Sequence, residues 1–209
     1  MKFAAVIPAY NEEKTIADVV KVLVASPLIH QVIVVSDGSR DNTAGVAAKM
    51  GALVVNLPDN RGKGGAMLAG IKQTDADYIL FLDADLIGLK FSHIESMLAP
   101  VKSGRADVTL GVFKKGRVPT DLAQKFAPYL SGQRVIKTSL LKQVEDMDFA
   151  RFGVELALTR FVEEHDIAYE TVELPDLSHV MKEEKLGFWK GLGSRLKMYR
   201  EIIAYLMKY

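Results

Sequence analysis

Short apolar runs alternate with amphipathic segments along the first half of the chain. Four runs have the length and the β-branched or aromatic content of buried strands; they are Phe3–Ile7, Val32–Val35, Leu53–Leu57 and Tyr78–Leu82. Between them, apolar residues recur at helical spacing, in the segments Ile16–Leu23, Val46–Met50 and Gly64–Thr74. This alternation predicts an α/β domain with a mostly parallel sheet flanked by helices.

Polar segments directly follow three of the predicted strands. They are Pro8–Glu12, Ser36–Ser39 and Asp83–Asp85. Parallel strands end at the same edge of their sheet, and open α/β sheets bind ligands beyond those carboxyl ends. We therefore expect the three segments to meet at one edge, although they are far apart in the sequence.

The second half of the chain is less regular. Val108–Phe113 and Tyr169–Leu174 have the pattern of strands, and the apolar spacing of Phe152–His165 predicts a helix. The segment Ser92–Glu95 has the Ser-x-x-Glu form, which predicts a capping box where another helix begins. Lys114–Ala127 is polar and contains Gly and Pro, so we interpret it as a loop or lid.

Composition excludes several classes of protein. The 209 residues include 27 Lys and Arg, 26 Asp and Glu and no Cys, for a formal net charge of +1. The lack of cysteine excludes a disulfide scaffold and a cysteine nucleophile, and the balanced charge gives no general attraction to nucleic acid. No apolar run reaches the roughly 20 residues of a membrane span, and Met1–Tyr10 lacks a signal-peptide cleavage pattern. We therefore expect a cytoplasmic protein.

A basic amphipathic segment ends the sequence, because Lys and Arg outnumber Glu after residue 181 and an apolar stripe recurs at helical spacing. We predict one domain over residues 1–181 and a helical tail over residues 182–209. The tail has two interpretations. It packs on the core or on a second copy in a homodimer, or it lies on an anionic membrane at the inner face, close to a lipid-linked acceptor.

Two carboxylates, Asp83 and Asp85, follow the apolar run that ends at Leu82. Alternate residues of an extended chain point to the same side, so both side chains could face one ligand. Mg²⁺ and Mn²⁺ prefer such hard oxygen ligands. A solvated turn that caps a helix would explain the same two residues without a metal.

Lys63 lies in a glycine-rich segment, Arg61–Gly65, before a predicted helix. Glycines allow a phosphate to approach closely, and a helix start with a Lys favours an anion. The Lys is not followed by Ser or Thr as in a Walker loop, and the segment does not follow the first strand as a dinucleotide-binding loop does. A flexible loop is the alternative.

Glu155 and His179 are further candidate site residues. Glu155 could instead be an exposed residue of a helix, and His179 could instead be a histidine at the surface.

Four motifs together resemble family 2 glycosyltransferases of the GT-A fold, which is Rossmann-like. In chain order they are Val6–Glu13, Val34–Thr43, Asn60–Gly64 and Phe81–Asp85. The resemblance implies a nucleotide-diphosphate-sugar donor, UDP- or GDP-linked, and a Mg²⁺ or Mn²⁺ cofactor.

The same resemblance assigns roles to individual residues. The nucleoside pocket would be lined by Pro8, Ala9, Tyr10, Glu12, Ser36 and Asp37. Lys63 would lie near the diphosphate. The ribose and the metal would be served by Asp83, Ala84 and Asp85. Ser36 departs from the family pattern, which usually has a second Asp at this position.

The second half is similar to a narrower branch of the family. Pro128–Arg134 and Phe152–Leu156 resemble segments of the glucosyl-3-phosphoglycerate synthase group, and polyprenol-phosphate sugar transferases share the amino-terminal motifs. His179 matches a histidine that completes the metal site in that group, which would make it a metal ligand beside Asp85. The residues implied at the acceptor or the donor sugar are Ser131, Gly132 and Gln133.

The predicted reaction breaks the bond between an anomeric carbon and a diphosphate. A metal at Asp85, together with Lys63, would stabilise the leaving diphosphate. If the configuration inverts, Glu155 is the candidate base for the proton of a small-molecule or lipid-linked acceptor; if it is retained, no positioned base is needed. Asp85 and Glu155 are thus the predicted catalytic residues.

Two other classes of function stay open at this point. A nucleotidyltransferase of related fold would have a basic, glycine-rich loop after its first strand, whereas Pro8–Glu13 is acidic. A catalytically silent protein, which binds nucleotide sugars or acts as a scaffold at a membrane, would not need the Asp83, Asp85 and Lys63 that this chain retains.

Overall fold

A computed structural model describes residues 1–113, 131–144 and 154–179. The chain divides into two compact units, Met1–Ser178 and His179–Tyr209, and His179 is the residue of the second unit that is described. The predicted loop over residues 114–127, the domain boundary at residue 181 and the tail over 182–209 lie outside the described residues and stay predictions.

Seven strands of the first unit form one mostly parallel sheet. The strands of the described residues are β1 (Phe3–Ala9), β2 (Gln31–Asp37), β3 (Leu53–Leu57), β4 (Tyr78–Phe81), β5 (Leu86–Ile87), β6 (Val108–Phe113), β7 (Arg134–Lys137), β8 (Tyr169–Leu174) and β9 (Ser178–His179). The two short strands, β5 and β9, lie outside the large sheet. The order in the large sheet is β3-β2-β1-β4-β7-β6-β8. Strand β1 runs parallel to β2 and β4, whereas β7 is antiparallel to both of its neighbours. The predicted α/β class and mostly parallel sheet are confirmed.

Helices cover both faces of this sheet. They are α1 (Ile16–Val24), α2 (Thr43–Lys49), α3 (Gly62–Ile71), α4 (Phe91–Lys102), α5 (Thr138–Val144) and α6 (Val154–Glu164). Successive residues of a strand point to opposite faces, so Ala5 and Ile7 of β1 join the apolar cluster of α1 and α4, while Ala4 and Val6 join that of α3 and α6. Continuous apolar runs such as β1 are therefore buried on both sides.

All six strands that the sequence predicts are present, and β3, β6 and β8 have the predicted bounds. The predicted helices are present as well, with α3 beginning two residues earlier, at Gly62. Strands β5, β7 and β9 and helix α5 were not predicted. In the described part of the chain, no helix combines the length and apolarity needed to cross a membrane.

The predicted capping box at Ser92–Glu95 is wrong. Helix α4 begins at Phe91, so Ser92 lies inside its first turn. The side chain that caps the helix is His93, whose Nδ1 accepts a hydrogen bond from the Lys90 amide at 3.1 Å. The opposite ring nitrogen lies 2.9 Å from the carbonyl oxygen of Pro175. His93, held by this long-range contact, takes the capping role that was predicted for Ser92 and Glu95.

Candidate functional site

The loops after β1 and β2 are joined by hydrogen bonds at the carboxyl edge of the sheet. The amide of Asn11 donates to Ser39 Oγ at 3.1 Å, and Asn11 Oδ1 accepts from the amide of Arg40 at 2.8 Å. The amide of Glu12 donates to Thr43 Oγ1 at 2.8 Å. The predicted meeting of Pro8–Glu12 with Ser36–Ser39 is thus observed, through contacts that reach on into helix α2.

Asp41 is the acceptor that organises these two loops. Its Oδ1 accepts hydrogen bonds from the Thr43 amide and hydroxyl, and its Oδ2 accepts from the amide of Glu13 at 3.1 Å. Burial alone raises the pKa of the Asp41 carboxyl, but these hydrogen bonds lower it by more, so the pKa lies below its usual value. Asn11 adopts a φ of 56° at the bend of the first loop.

Asp37, at the end of β2, is buried and receives the loop that precedes α3. The amide of Arg61 donates to Asp37 Oδ1 at 2.7 Å, and Asn60 Nδ2 donates to the Asp37 carbonyl at 3.2 Å. Gly38 is required here, because its φ is +67° and a Cβ would lie 2.7 Å from the Asn60 nitrogen. Ser36 is also buried, and its hydroxyl has no hydrogen-bond partner among the described residues.

Lys63, at the start of α3, links two carboxylates from distant parts of the chain. Its Nζ lies 2.5 Å from Asp83 Oδ1 and 2.5 Å from Glu155 Oε1. The three side chains are partly shielded, with exposed fractions of 32% for Lys63, 27% for Asp83 and 21% for Glu155. Asp83 follows β4 and Glu155 lies in the first turn of α6, so this cluster joins helices α3 and α6, which pack on the same face of the sheet, to the end of β4.

The charges of this cluster oppose the effect of burial. Burial alone lowers the pKa of Lys63, but the negative charges of Asp83 and Glu155 raise it by more, so the pKa lies above its usual value. Burial alone raises the pKa of Glu155, whereas the charge of Lys63 lowers it by more, so the pKa lies below its usual value. Both partners are therefore charged near neutral pH.

The segment before β7 completes the cluster. Gln133 Nε2 donates to Asp83 Oδ2 at 2.9 Å, and Gln133 Oε1 accepts from the Asp83 amide at 3.1 Å. Gly132 packs directly on the ion pair, since a Cβ there would lie 2.6 Å from Asp83 Oδ2 and 2.7 Å from Lys63 Nζ. Ser131 Oγ bonds to the Gly111 carbonyl and accepts from the Gln133 amide, which fixes the segment in place.

Arg134 is a fully buried cation directly behind this segment, with an exposed fraction of 1%. Its Nη1 donates to the main-chain carbonyl of Glu155 at 3.1 Å, and its Nε and Nη2 donate to the carbonyl of Ser131. Burial lowers the pKa of Arg134 to about 10, although Glu155 and Asp83 act in the opposite direction. Arg134 thus joins the segment before β7 to helix α6.

The other predicted site residues differ in accessibility. Tyr10 is exposed and Asp85 is half-buried in the turn after β4. Ala9 and Ala84 are buried in the apolar core, so only their main chains are available to a ligand. The remaining predicted residues are half-buried Pro8 and Glu12 and exposed His179.

No three His, Asp or Glu side chains within the described residues form a ready metal cluster. The predicted metal ligands Asp85 and His179 belong to the first and second unit, respectively, and their pairing at one ion stays a prediction.

Two contributors to the site were not predicted from the sequence. Arg134 lies in Pro128–Arg134, one of the segments that carry the resemblance, but no role was predicted for it. It directly precedes the apolar residues Val135 and Ile136, and a cation beside such residues indicates a buried charge with hydrogen-bond partners. The main-chain amide of Arg61 carries no signal in the sequence at all, because every residue except proline has one.

The sequence model of one family, described as Glycosyl transferase family 2, matches residues 4–160. The low-salt glycan biosynthesis hexosyltransferase Agl6 of Haloferax volcanii is 36% identical over 118 residues, which are 55% of this chain and 28% of that protein. The poly-beta-1,6-N-acetyl-D-glucosamine synthase of Staphylococcus aureus is 41% identical over 86 residues, which are 39% of this chain and 21% of that protein. The chain therefore spans less than a third of the length of these curated relatives.

Solved structures of glucosyl-3-phosphoglycerate synthase from Mycobacterium tuberculosis cover more of the chain. The complex with Mn²⁺ and UDP-glucose superposes with a TM-score of 0.79 at 26% identity, covering 99% of this chain and 78% of that one. The complex with Mg²⁺ and UDP gives a TM-score of 0.76, and a further complex also contains phosphoglyceric acid.

These comparisons confirm the resemblance to family 2 glycosyltransferases and the GT-A-like fold, and the metals in the solved structures agree with the predicted Mg²⁺ or Mn²⁺ cofactor. The match over residues 4–160 covers most of the 209 residues. The chain belongs to glycosyl transferase family 2.

Proposed function

We propose that this protein transfers a sugar from a nucleotide-diphosphate sugar to an acceptor hydroxyl, with a divalent ion at Asp85. The donor is UDP- or GDP-linked, and the UDP-glucose bound by the Mycobacterium tuberculosis synthase favours UDP. The acceptor is a small molecule or a lipid-linked compound, and the phosphoglyceric acid bound by the same synthase supports the small molecule.

One observation carries the proposal: Lys63 lies between Asp83 and Glu155 at the edge where three strands end. A cation at this edge is placed to stabilise the charge that develops on a leaving diphosphate. The loop Asn60–Lys63 also contacts Asp37 through the Arg61 amide. A nucleotide could therefore bind with its base near Asp37 and its phosphates near Lys63.

The residues at this edge fit a hard divalent ion. Mg²⁺ and similar ions use one or two protein carboxylates and take their other ligands from phosphates and water, so a ready three-residue cluster is not required. Asp85 is a half-buried carboxylate at this edge, and we propose it as the main protein ligand, with His179 as a second one. When bound, the ion would neutralise the charge of the diphosphate.

Other residues at this edge would bind the nucleoside, the donor sugar and the acceptor. Pro8 lies near the end of β1, next to β2, and Tyr10 and Glu12 lie on the loop that follows. Their position supports a nucleoside pocket between these residues and Asp37. The hydroxyl of Ser36, which has no hydrogen-bond partner within the described part of the chain, lies near the end of β2 in the same region. The segment Ser131–Gln133 lies next to Asp83 and would contact the donor sugar or the acceptor.

Glu155 is the proposed base for an inverting transfer. Its carboxylate is charged, because Lys63 lowers its pKa against the effect of burial. A base of this kind can accept the acceptor's proton only when its ion pair with Lys63 has opened, and a diphosphate that attracts Lys63 would open it. The loss of the proton from the acceptor is then linked to the presence of the donor.

A thermal-shift screen of UDP- and GDP-sugars with Mn²⁺ tests the proposal. A donor at about 100 times its Kd adds about 2.7 kcal/mol of stability, which raises Tm by roughly 5–10 °C for a chain of this size. Lys63→Met should remove most of this shift, whereas Lys49→Met, at an exposed position on α2, should retain it. A wild-type Tm that no UDP- or GDP-sugar changes would favour a silent scaffold and refute the proposal.

Contact of the tail with a membrane, which would bring a lipid-linked acceptor close, has a separate test. We propose that the tail over residues 182–209 supports peripheral contact with anionic lipid because of its basic composition. The full chain should then float with phosphatidylserine vesicles at low salt and not with phosphatidylcholine vesicles. Equal recovery with both vesicle types would leave packing on the core or in a homodimer as the role of the tail.

A further inference from the structure

Arg134 has the unusual position of a fully buried cation whose hydrogen bonds all go to main-chain carbonyls. Its guanidinium donates to the carbonyls of Ser131 and Glu155. Among the described residues, no carboxylate lies within ion-pair distance of it. Arginine in such a site stays charged, and carbonyl acceptors satisfy its donors without neutralising its charge.

Arg134 adds a second cation to the cluster that Lys63 forms with Asp83 and Glu155. It donates to the main-chain carbonyl of Glu155, and the carboxylates of Glu155 and Asp83 both act on its charge through space. The two cations differ in mobility. Lys63 has a flexible side chain that is one-third exposed, whereas Arg134 is held by carbonyls from two directions inside the protein.

This difference matters when a diphosphate enters the site. If Lys63 moves towards the phosphates, Asp83 and Glu155 lose the cation that they contact. A partly buried carboxylate such as Glu155 is strongly destabilised when its ion pair is broken. Arg134 stays in place and supplies a counter-charge, so the cost of releasing Lys63 is lowered.

We propose that Arg134 is a positioning residue, a fixed cation behind Asp83 and Glu155 that allows Lys63 to exchange these carboxylates for the diphosphate of the donor. This inference rests on the proposed function, because it assumes that a nucleoside diphosphate binds at Lys63. It goes beyond that function by giving the unassigned Arg134 an electrostatic role that is distinct from packing.

Calorimetric titration of UDP and GDP in the presence of Mn²⁺ tests the role of the charge. For the diphosphate that the wild type binds, Arg134→Met should weaken affinity about tenfold, as expected for the loss of one partly buried charge interaction. Arg134→Lys keeps the charge but loses the forked hydrogen bonds, and its affinity should stay within about threefold of wild type. Arg160→Met, which removes an arginine paired with Glu164 on the same helix as Glu155, is the matched control and should bind like wild type.

A double-mutant cycle with Glu155→Gln separates charge from structure. Glu155→Gln keeps the main-chain carbonyl that Arg134 contacts but removes one of the two carboxylates. In this background Arg134→Met should weaken diphosphate affinity by less than about twofold, because Lys63 then leaves only Asp83 behind. The double variant has the same net charge as the wild type, so its comparison with Glu155→Gln also serves as the test if Arg134→Met alone does not fold.

The outcomes distinguish a failure of the role proposed for Arg134 from a failure of the proposed function. A tenfold loss that is the same in both backgrounds, or that Arg134→Lys does not restore, would show that Arg134 acts through packing alone and would overturn the inference. Wild-type affinity in Arg134→Met would overturn it as well. If the wild type binds neither UDP nor GDP, the proposed function fails first, and the inference falls with it.

Discussion

Gly132→Ala should separate the function of the site from the stability of the fold. The new Cβ would lie 2.6 Å from Asp83 Oδ2, and ordinary contact begins at 3.4 Å, so the carboxylate has to move by about 0.8 Å. The Lys63 ammonium, 2.7 Å away, has to move with it. Both groups are ends of flexible side chains, so the penalty in unfolding free energy should be small, about 1 kcal/mol. A displacement near 1 Å at a reacting centre costs about 100-fold in rate.

The assay for Gly132→Ala is turnover of the donor that stabilises the wild type most, together with thermal melting. Turnover should fall about 100-fold, while Tm should fall by only about 2–4 °C. Gly104→Ala is the matched control: its φ of +73° gives a backbone penalty of about 1 kcal/mol, but a Cβ there touches nothing within 4 Å. The control should melt earlier and keep its turnover. Turnover of Gly132→Ala within about threefold of wild type would refute the claim that Asp83 must hold its position.

Three further predictions concern single side chains. Asp85→Asn should reduce turnover about 100-fold or more and weaken the Mn²⁺ dependence of donor binding, with Tm unchanged; full turnover would exclude Asp85 as the metal ligand. Glu155→Gln should strongly reduce turnover and lower stability near neutral pH by about 1–2 kcal/mol. Lys63 lowers the pKa of Glu155 in the folded state, against the effect of burial. The stability from this ion pair is therefore present above the unfolded pKa of about 4.3, and it is lost as pH falls through the lower folded pKa. The Tm values of wild type and variant should converge in acid, and a difference in Tm that stays constant with pH would contradict the ion pair. Asp41→Ala removes the acceptor for the Thr43 and Glu13 amides and should lower Tm by about 2–4 °C, and an unchanged Tm would show that other contacts hold the two loops.

The sequence predicts the parts of the fold that follow from local pattern. Strands β1, β6 and β8 are continuous or alternating apolar runs, and their position follows from hydrophobicity alone. Strand β7 is short and begins with Arg134, so its pattern does not distinguish it from a loop. It becomes a strand because it pairs with both β4 and β6, which is a long-range property of the sheet.

In the site too, local pattern was sufficient for some features, while others depend on long-range packing. The rule that parallel strands end at one edge was sufficient to predict that the segments after β1 and β2 meet. It could not predict that Lys63 contacts Glu155, because this pair depends on where helix α6 packs on the sheet. The capping error at Ser92 has the same origin, since His93 is fixed by the carbonyl of Pro175, which is distant in the sequence.

The loop Asn60–Lys63 imposes a practical limit on redesign of the proposed donor site. Its Arg61 amide donates to Asp37, and its Lys63 ammonium contacts Asp83, so one short stretch of backbone connects the two ends of the pocket that we propose. A substitution of residue 37 alone would remove the acceptor of the Arg61 amide and so disturb the backbone that carries Lys63. Chimeras between homologues should therefore exchange residues 36–38 and 60–63 as one cassette.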